Sequence, residues 1–327
     1  MTTLGDGDER KTMRTSSGQC ANAVLMVRPA AFDYNPETAA SNRMQRRPES
    51  TAVQPNEAAQ REFAQFVLAL ESEGVRVCVV DDTSEPPKPD AVFPNNWISF
   101  HADGTVVLYP MQAESRRRER RAEIIDQVVS ELGFLVNRVV DLTAHELHGR
   151  CLEGTGSLVL DHVERVAYAC RSPRTHAIVL EEWCRELGYE PVMFDAADRT
   201  GVPLYHTNVL MCIGTRAVVI GSDAIAPADR ARVLDRLAAS GREIITITHE
   251  QLAAFAGNML ELASWDEALG DCSVLVMSTG ARAALGPEGY ARLAACADNL
   301  LAVPIPTIER LGGGSVRCML AEVFTPA

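Results

Sequence analysis

Residues 57–80 read EAAQREFAQFVLALESEGVRVCVV. Phe63, Phe66, Val67 and Leu70 recur at helical spacing, Gly74 follows, and the chain turns into a β-branched run. A glycine just past an amphipathic helix is the left-handed cap that ends it. Asn56 stands where an N-cap is expected. The unit recurs. Ala122–Leu132 leads to Gly133 and FLVNRVV, Ala177–Leu187 to Gly188 and YEPVMF, Arg230–Ser240 to Gly241 and REIITIT, and Tyr290–Asp298 to Asn299 and LLAVPI. The caps fall at intervals of 53 to 59 residues. Near-equal units of helix plus strand predict a repeat array. Further strands are expected at Ala23–Val27, Thr105–Tyr109, Ser157–Leu160, Arg165–Ala169, Val209–Ile213, Ala217–Ile220 and Ser273–Met277. The expected fold is therefore α/β, a five-bladed α/β propeller with pseudo-fivefold repeats. A doubly wound sheet is the alternative. It is disfavoured because no G-x-G-x-x-G follows the first strand. Residues 21–327 are read as a single catalytic domain and residues 1–20 as a flexible N-terminal tail. Tyr34–Pro55 is a long polar loop able to lie over a site.

Composition narrows the function. The chain has 327 residues, 46% of them hydrophobic and 23% charged, which is globular rather than disordered composition. A net charge of −13 argues against nucleic acid and against anionic membranes as partners. No apolar run reaches the roughly 18 residues of a membrane span, and the N-terminal stretch lacks the apolar core of a secretory signal. Nine scattered cysteines without a CxxC motif fit free thiols in a reducing cytoplasm.

A polar residue interrupts the strand pattern 17 to 22 residues beyond each cap: Asn96, Glu153, His206, Asn258 and Cys318. In a radial array, equivalent positions surround one axis, so these five are expected to converge. A free cysteine is usually a core residue, and Cys78 and Cys212 are read that way. Cys318 differs because Gly312, Gly313 and Gly314 precede it and permit close approach of a ligand to the backbone. A histidine nearby would make it an activated nucleophile. His206 heads an apolar strand and is suited to proton transfer. Glu153 precedes Gly154 and Gly156 at a turn. Asn96 and Asn258 are also ordinary turn residues. His145, His148, His162 and Cys151 make a poor metal set, since HELH lacks the second histidine of HExxH and position 149 is Gly. Residues 116–121, RRRERR, read as a solvated helix start; the alternative is that one of these arginines points inward and grips a carboxylate.

Five motifs in order, PDAVFPNNWISFH, CLEGTGSLVLD, YHTNV, GNMLEL and GGGSVRCMLAEVF, resemble the guanidino-group-modifying enzymes of the pentein superfamily. That superfamily includes arginine deiminase, dimethylarginine dimethylaminohydrolase and arginine:glycine amidinotransferase. The resemblance covers residues 22–327 and is nearest to the bacterial citrulline-utilisation hydrolase-like subgroup. It implies Cys318 as nucleophile, His206 as general acid/base, and Glu153 as the acidic residue contacting the reacting nitrogen group. It also implies Asn96 and Asn208 at positions where relatives carry guanidinium-binding aspartates, and Asp90 for a substrate α-ammonium. Arg116 or Arg117, together with Arg174, would bind the substrate carboxylate. The two asparagines remove two negative charges and shift the expectation toward a ureido substrate such as citrulline. The implied activity is cysteine-dependent hydrolysis of a ureido or guanidino group. Amidinotransferase, arginine deiminase or dihydrolase, and dimethylargininase are the alternatives on the same machinery. A silent ligand-binding propeller is the alternative of another class. The partner is a small amino-acid substrate, with no metal, no cofactor, and a homodimer as one possible assembly.

Overall fold

The computed structural model describes residues 18–47, 54–266 and 270–325. Its strands form five three-stranded sheets of one pattern. In each, a central strand pairs antiparallel with one neighbour and parallel with the other. The first sheet is β15 (Ala321–Val323), β1 (Ala23–Arg28) and β2 (Arg76–Asp81), so the chain's last strand completes its first module. The second is β3 (Ile98–Phe100), β4 (Thr105–Leu108) and β5 (Arg138–Asp141). The third is β6 (Val159–Asp161), β7 (Val166–Cys170) and β8 (Glu190–Phe194). The fourth is β9 (Met211–Ile213), β10 (Ala217–Ile220) and β11 (Glu243–Thr246). The fifth is β12 (Leu260–Asp266), β13 (Gly270–Ser278) and β14 (Asn299–Val303).

Each parallel pair needs a crossover, and a helix supplies it. The five helices are Pro55–Ser72, Glu123–Leu132, Ala177–Leu187, Pro227–Ala238 and Thr279–Cys296. Gly133 and Gly188 end two of them at φ 72° and 70°, the left-handed conformation that a Cβ disfavours. Asn299 does not play this part. The fifth helix is capped at Ala297, and Asn299 opens β14 opposite Val274. That helix starts eleven residues before Tyr290, and Gly286–Pro287 kinks it. Asn56 is not an N-cap either. Gln54 holds that position, with Pro55 first in the helix, while Asn56 accepts from the Phe32 amide and donates to the Ala30 carbonyl.

Strands β3, β12 and β15 have no counterpart in the sequence reading. With β6 and β9 they are the first strands of the five sheets; β3 and β15 have three residues each and β12 seven. Each expected polar position lies just before one of these first strands, mostly at a single helical turn. Pro94–Asn96 precedes β3, Gly154–Ser157 follows Glu153, Thr207–Leu210 follows His206, and Val316–Met319 precedes β15. These turns also explain why β6 and β9 start two residues later than their apolar runs suggest.

Residues 1–17 of the expected tail lie outside the described residues. Gln19, assigned to that tail, is buried and donates to the carbonyls of Leu160 and Ile213. Of the long loop, residues 48–53 lie outside the described set, and the rest contains a short helix, Pro36–Ala39. No helix among the described residues is long and apolar enough to cross a membrane.

The crossover helices bury their apolar stripes against the sheets. Phe63, Phe66 and Leu70 are fully buried with Val24 and Met26 of β1. Trp183 is equally buried, and its indole N–H donates to the Tyr109 hydroxyl at 2.9 Å. Phe66→Ala leaves a cavity where packing is continuous and is expected to cost about 3–5 kcal/mol. A shift of the urea midpoint at unchanged slope measures it.

Candidate active site

A small pocket opens among Thr38, Asn42, Asp90, Phe93, Asn96 and Arg116 on one side. Arg174, Tyr205, His206, Gly312–Gly314 and Cys318 form the other. Ser41, Asn42 and Gln45 bring the long loop across it. Arg174 donates to the Ser41 hydroxyl and the Thr38 carbonyl, and Asn42 donates to the carbonyls of Gly312 and Gly313.

Cys318 and His206, 112 residues apart in sequence, both line this pocket. The Cys318 sulfur receives the side-chain amides of Asn208 at 3.4 Å and Asn258 at 3.3 Å. Asn258 is fixed in turn, because its Oδ1 accepts from the Arg317 backbone N–H and its Nδ2 also donates to the Asn208 carbonyl. Burial pushes the Cys318 thiol up, while a backbone hydrogen bond at Ser315 and the two amides pull it back. Burial raises Cys78 and Cys212 to about 12.

Glu153 Oε2 stands 2.8 Å from His206 Nε2. A carboxylate only accepts, so Nε2 carries the proton and Nδ1 is left as the base. Arg174 Nη1 at 3.3 Å and the Gln112 backbone N–H at 3.0 Å complete the Glu153 shell. Burial alone would raise the Glu153 carboxyl, but Arg174 and His206 hold it well below the usual carboxylate range. Burial lowers His206 to about 4 against the pull of Glu153. Gly156 lies between Asn96 and His206. A Cβ there would come within 2.4 Å of Asn96 Nδ2 and 2.8 Å of the imidazole, so only glycine lets the two side chains close on the pocket.

The structure moves several sequence-derived residues. Glu153 is expected against the reacting nitrogen, yet it stands behind His206 with both oxygens engaged and orients the imidazole. Asn208 touches the sulfur and does not line the pocket. Arg117 is not in the site. It is partly exposed, donates to the Met111 carbonyl and pairs with Glu146 at 3.4 Å. Arg116 lines the pocket, but its guanidinium is taken up by Glu119, Asn96 and the Phe93 carbonyl, so it is not the free carboxylate grip expected of it. Arg174 is buried at the pocket with its guanidinium 5.2 Å from the Tyr205 ring centre. Asp90 accepts from Asn35 and Thr38 through Oδ2, while its buried Oδ1 has no partner. Burial raises the Asp90 carboxyl against Arg116. Among the described residues, no cluster of three or more metal-ligating side chains occurs. Tyr205 and Glu119 are the residues sequence reasoning missed. Tyr205 adjoins His206 in the YHTNV motif, and its hydroxyl donates to the Gly313 carbonyl.

A family model described as N,N dimethylarginine dimethylhydrolase, eukaryotic, matches residues 28–325. The chain belongs to that family. Its members are hydrolases of guanidino C–N bonds within the pentein guanidino-modifying superfamily. No curated protein sequence matches the chain. Among solved structures it is similar to ArgZ, an arginine dihydrolase from the ornithine-ammonia cycle in cyanobacteria. That match has a TM-score of 0.71 and 18% identity, over 93% of this chain and 41% of ArgZ. Unliganded AgrE gives 0.69 and 18%, over 93% and 39%. A dimethylarginine dimethylaminohydrolase in adduct with S-methyl-L-thiocitrulline gives 0.62 and 17%, over 92% and 98%. The chain thus spans about two fifths of ArgZ and of AgrE. The mixed α/β fold with five small sheets agrees with these structures.

Asn258→Ala removes one of two amide donors to the sulfur. A hydrogen bond to a charged group contributes about 1.5–3 kcal/mol, so alkylation of Cys318 by iodoacetamide at pH 7 should slow by roughly ten- to a hundredfold. Mass-spectrometric labelling rates, with Cys78 as internal reference, measure this.

Proposed function

We propose that the protein is a cysteine-dependent hydrolase of the ureido or guanidino carbon of a small arginine-like amino acid. The favoured substrate is citrulline-type, giving ornithine, ammonia and carbon dioxide. The carrying observation is a buried thiol held by two amide donors beside a carboxylate-oriented imidazole in one pocket. The pocket also contains an unpartnered carboxylate oxygen, Asp90 Oδ1, suited to an α-ammonium. Arg174, whose guanidinium already donates to Ser41, Thr38 and Glu153, has one Nη1 hydrogen left for the α-carboxylate.

In this reading His206 Nδ1 takes the Cys318 proton, and the sulfur bonds to the substrate carbon. The C–N bond to the terminal nitrogen breaks, and that nitrogen leaves with the proton held by His206. Water then attacks the S-bound carbon as His206 takes a proton from it. The thiolate leaves and is reprotonated. A ureido substrate yields a carbamate that loses carbon dioxide to give the free amine. Asn208 and Asn258 stabilise the thiolate each time it forms, and Glu153 stabilises the imidazolium.

Radial placement of the five sheets as propeller blades belongs to the same proposal. Its support is that residues of β6, β9, β12 and β15, first strands of four sheets, line one pocket. A cytoplasmic compartment and a homodimer belong to it as well. A guanidino substrate is the second reading, favoured by the family match.

Cys318→Ala is expected to abolish turnover with the fold intact. Wild-type and variant protein, each given citrulline, arginine, methylated arginines and agmatine and read by mass spectrometry, test this. Full activity in the variant removes the covalent mechanism. With His206 neutral down to about 4, kcat/KM should stay high through pH 6 and fall only toward pH 4. An acid limb at the ordinary imidazole value of about 6.5 would show that the base is a different group.

A further inference from the structure

Ser41 lies on the loop over the pocket, and the proposed chemistry gives it no task. Its hydroxyl oxygen receives Arg174 twice, from Nε at 3.1 Å and from Nη2 at 2.9 Å. Nη2 also donates to the Thr38 carbonyl at 3.0 Å. Nη1 donates to Glu153 Oε2 at 3.3 Å. A guanidinium has five N–H donors fixed in one plane. These contacts take four of them and leave one hydrogen on Nη1, at a residue that lines the pocket.

The loop sets the direction of that hydrogen. Three of the four contacts end on Thr38 and Ser41, two of them on the one hydroxyl. Ser41 Oγ can receive both because its own hydrogen has acceptors elsewhere, Gln112 Oε1 at 3.1 Å and the Thr38 carbonyl at 3.3 Å. Among the described residues, nothing else accepts from Nε. Glu153 holds a single nitrogen, about which the plane still turns. The Tyr205 ring, 5.2 Å from the guanidinium carbon, covers a face without fixing a direction within the plane. Direction matters because a hydrogen bond weakens steeply once its angle falls below about 120°. The loop itself does not depend on Ser41. Asn42 and Gln45 fasten it to the carbonyls of Gly312 and Gly313, and the Arg46 N–H to the Arg310 carbonyl. Loss of the hydroxyl therefore frees the guanidinium and leaves the loop in place.

We propose that Ser41 is a specificity-determining positioning residue: its hydroxyl holds the Nε/Nη2 edge of Arg174, turns the remaining Nη1 hydrogen to the substrate's α-carboxylate, and so selects amino acids over their decarboxylated counterparts. This rests on the hydrolase reading above. It holds for a ureido and a guanidino substrate alike, because both carry the same α-carboxylate. With alanine at position 41, Nε has no acceptor in a buried place, and the guanidinium turns to find one. The alanine Cβ stays where the serine Cβ was, so the vacated edge is not opened to the substrate.

Citrulline and N-carbamoylputrescine differ only by the α-carboxylate, as do arginine and agmatine. The test compares kcat/KM within each pair in wild type, Ser41→Ala, Arg174→Lys and the double variant. In the pair that is turned over, wild type should favour the member with the carboxylate. Ser41→Ala should lower that ratio about tenfold, the effect of misaligning one hydrogen bond to a charged group. Lysine keeps a charge beside Glu153 but has no Nε/Nη2 edge, so adding Ser41→Ala to Arg174→Lys should leave the ratio unchanged. A further fall in the double variant overturns the proposal. A ratio unchanged in Ser41→Ala, whether or not both members lose activity, marks a merely structural role and overturns it as well. A wild type indifferent to the α-carboxylate overturns it too, while leaving the cysteine hydrolase intact. Turnover of none of the four, or turnover that survives Cys318→Ala, removes the underlying reading and this proposal with it. Should Arg174→Lys fail to fold, the same pair is titrated calorimetrically into Cys318→Ala and into Cys318→Ala with Ser41→Ala. An affinity ratio about tenfold lower without the hydroxyl supports the proposal, and an equal ratio overturns it.

Discussion

A fully buried carboxylate governs this structure. Glu153 is 1% exposed, and a charge in that position is tolerated only when its neighbours replace the lost water. Three segments supply the replacement: the backbone N–H of Gln112 after β4, the guanidinium of Arg174 after β7, and the imidazole of His206 ahead of β9. Satisfying one carboxylate therefore fixes the second, third and fourth modules against each other. It also leaves His206 with a single tautomer. Arg174 carries the constraint outward to Thr38 and Ser41, so the loop over the pocket is tied to the same charge.

The repeat was readable because its punctuation is chemical. Gly74, Gly133, Gly188 and Gly241 all adopt positive φ, which few other residues accept, so their spacing in the sequence is the spacing of the modules. Asn299 broke the rule, as the fifth helix ends without a left-handed residue. Strands β3 and β15 were invisible for a different reason. Three residues each, with every side chain buried, give no alternation to detect.

The site was partly readable for the same reason. Asn96, Glu153, His206, Asn258 and Cys318 sit just before the first strands, and similar spacings of 17 to 22 residues from the caps brought them to one place. Direction was not readable. Nothing local tells Glu153 to turn its oxygens to His206, nor Arg117 to turn toward Glu146 while Arg116 turns inward. Those choices depend on which buried groups lack partners, and that is a property of the assembled modules. Glu119 lay in a run of arginines that reads as a solvated face, and only burial distinguishes it.

The resting site holds little separated charge at its reacting end. Burial suppresses the thiolate of Cys318 and the imidazolium of His206 alike. Either ion alone would be costly there. In the proposed mechanism, proton transfer from sulfur to Nδ1 creates both at once and leaves the net charge unchanged. Each ion then meets a partner already in position. The sulfur has the amides of Asn208 and Asn258, and the imidazolium has Glu153. None of these groups needs to reorient, which is the condition under which fixed dipoles lower a barrier most. Neutral amides suit this better than carboxylates would. A carboxylate at 208 or 258 would repel the thiolate it borders, whereas an amide N–H attracts it. In the proposed mechanism, amides at 208 and 258 thus strengthen the nucleophile.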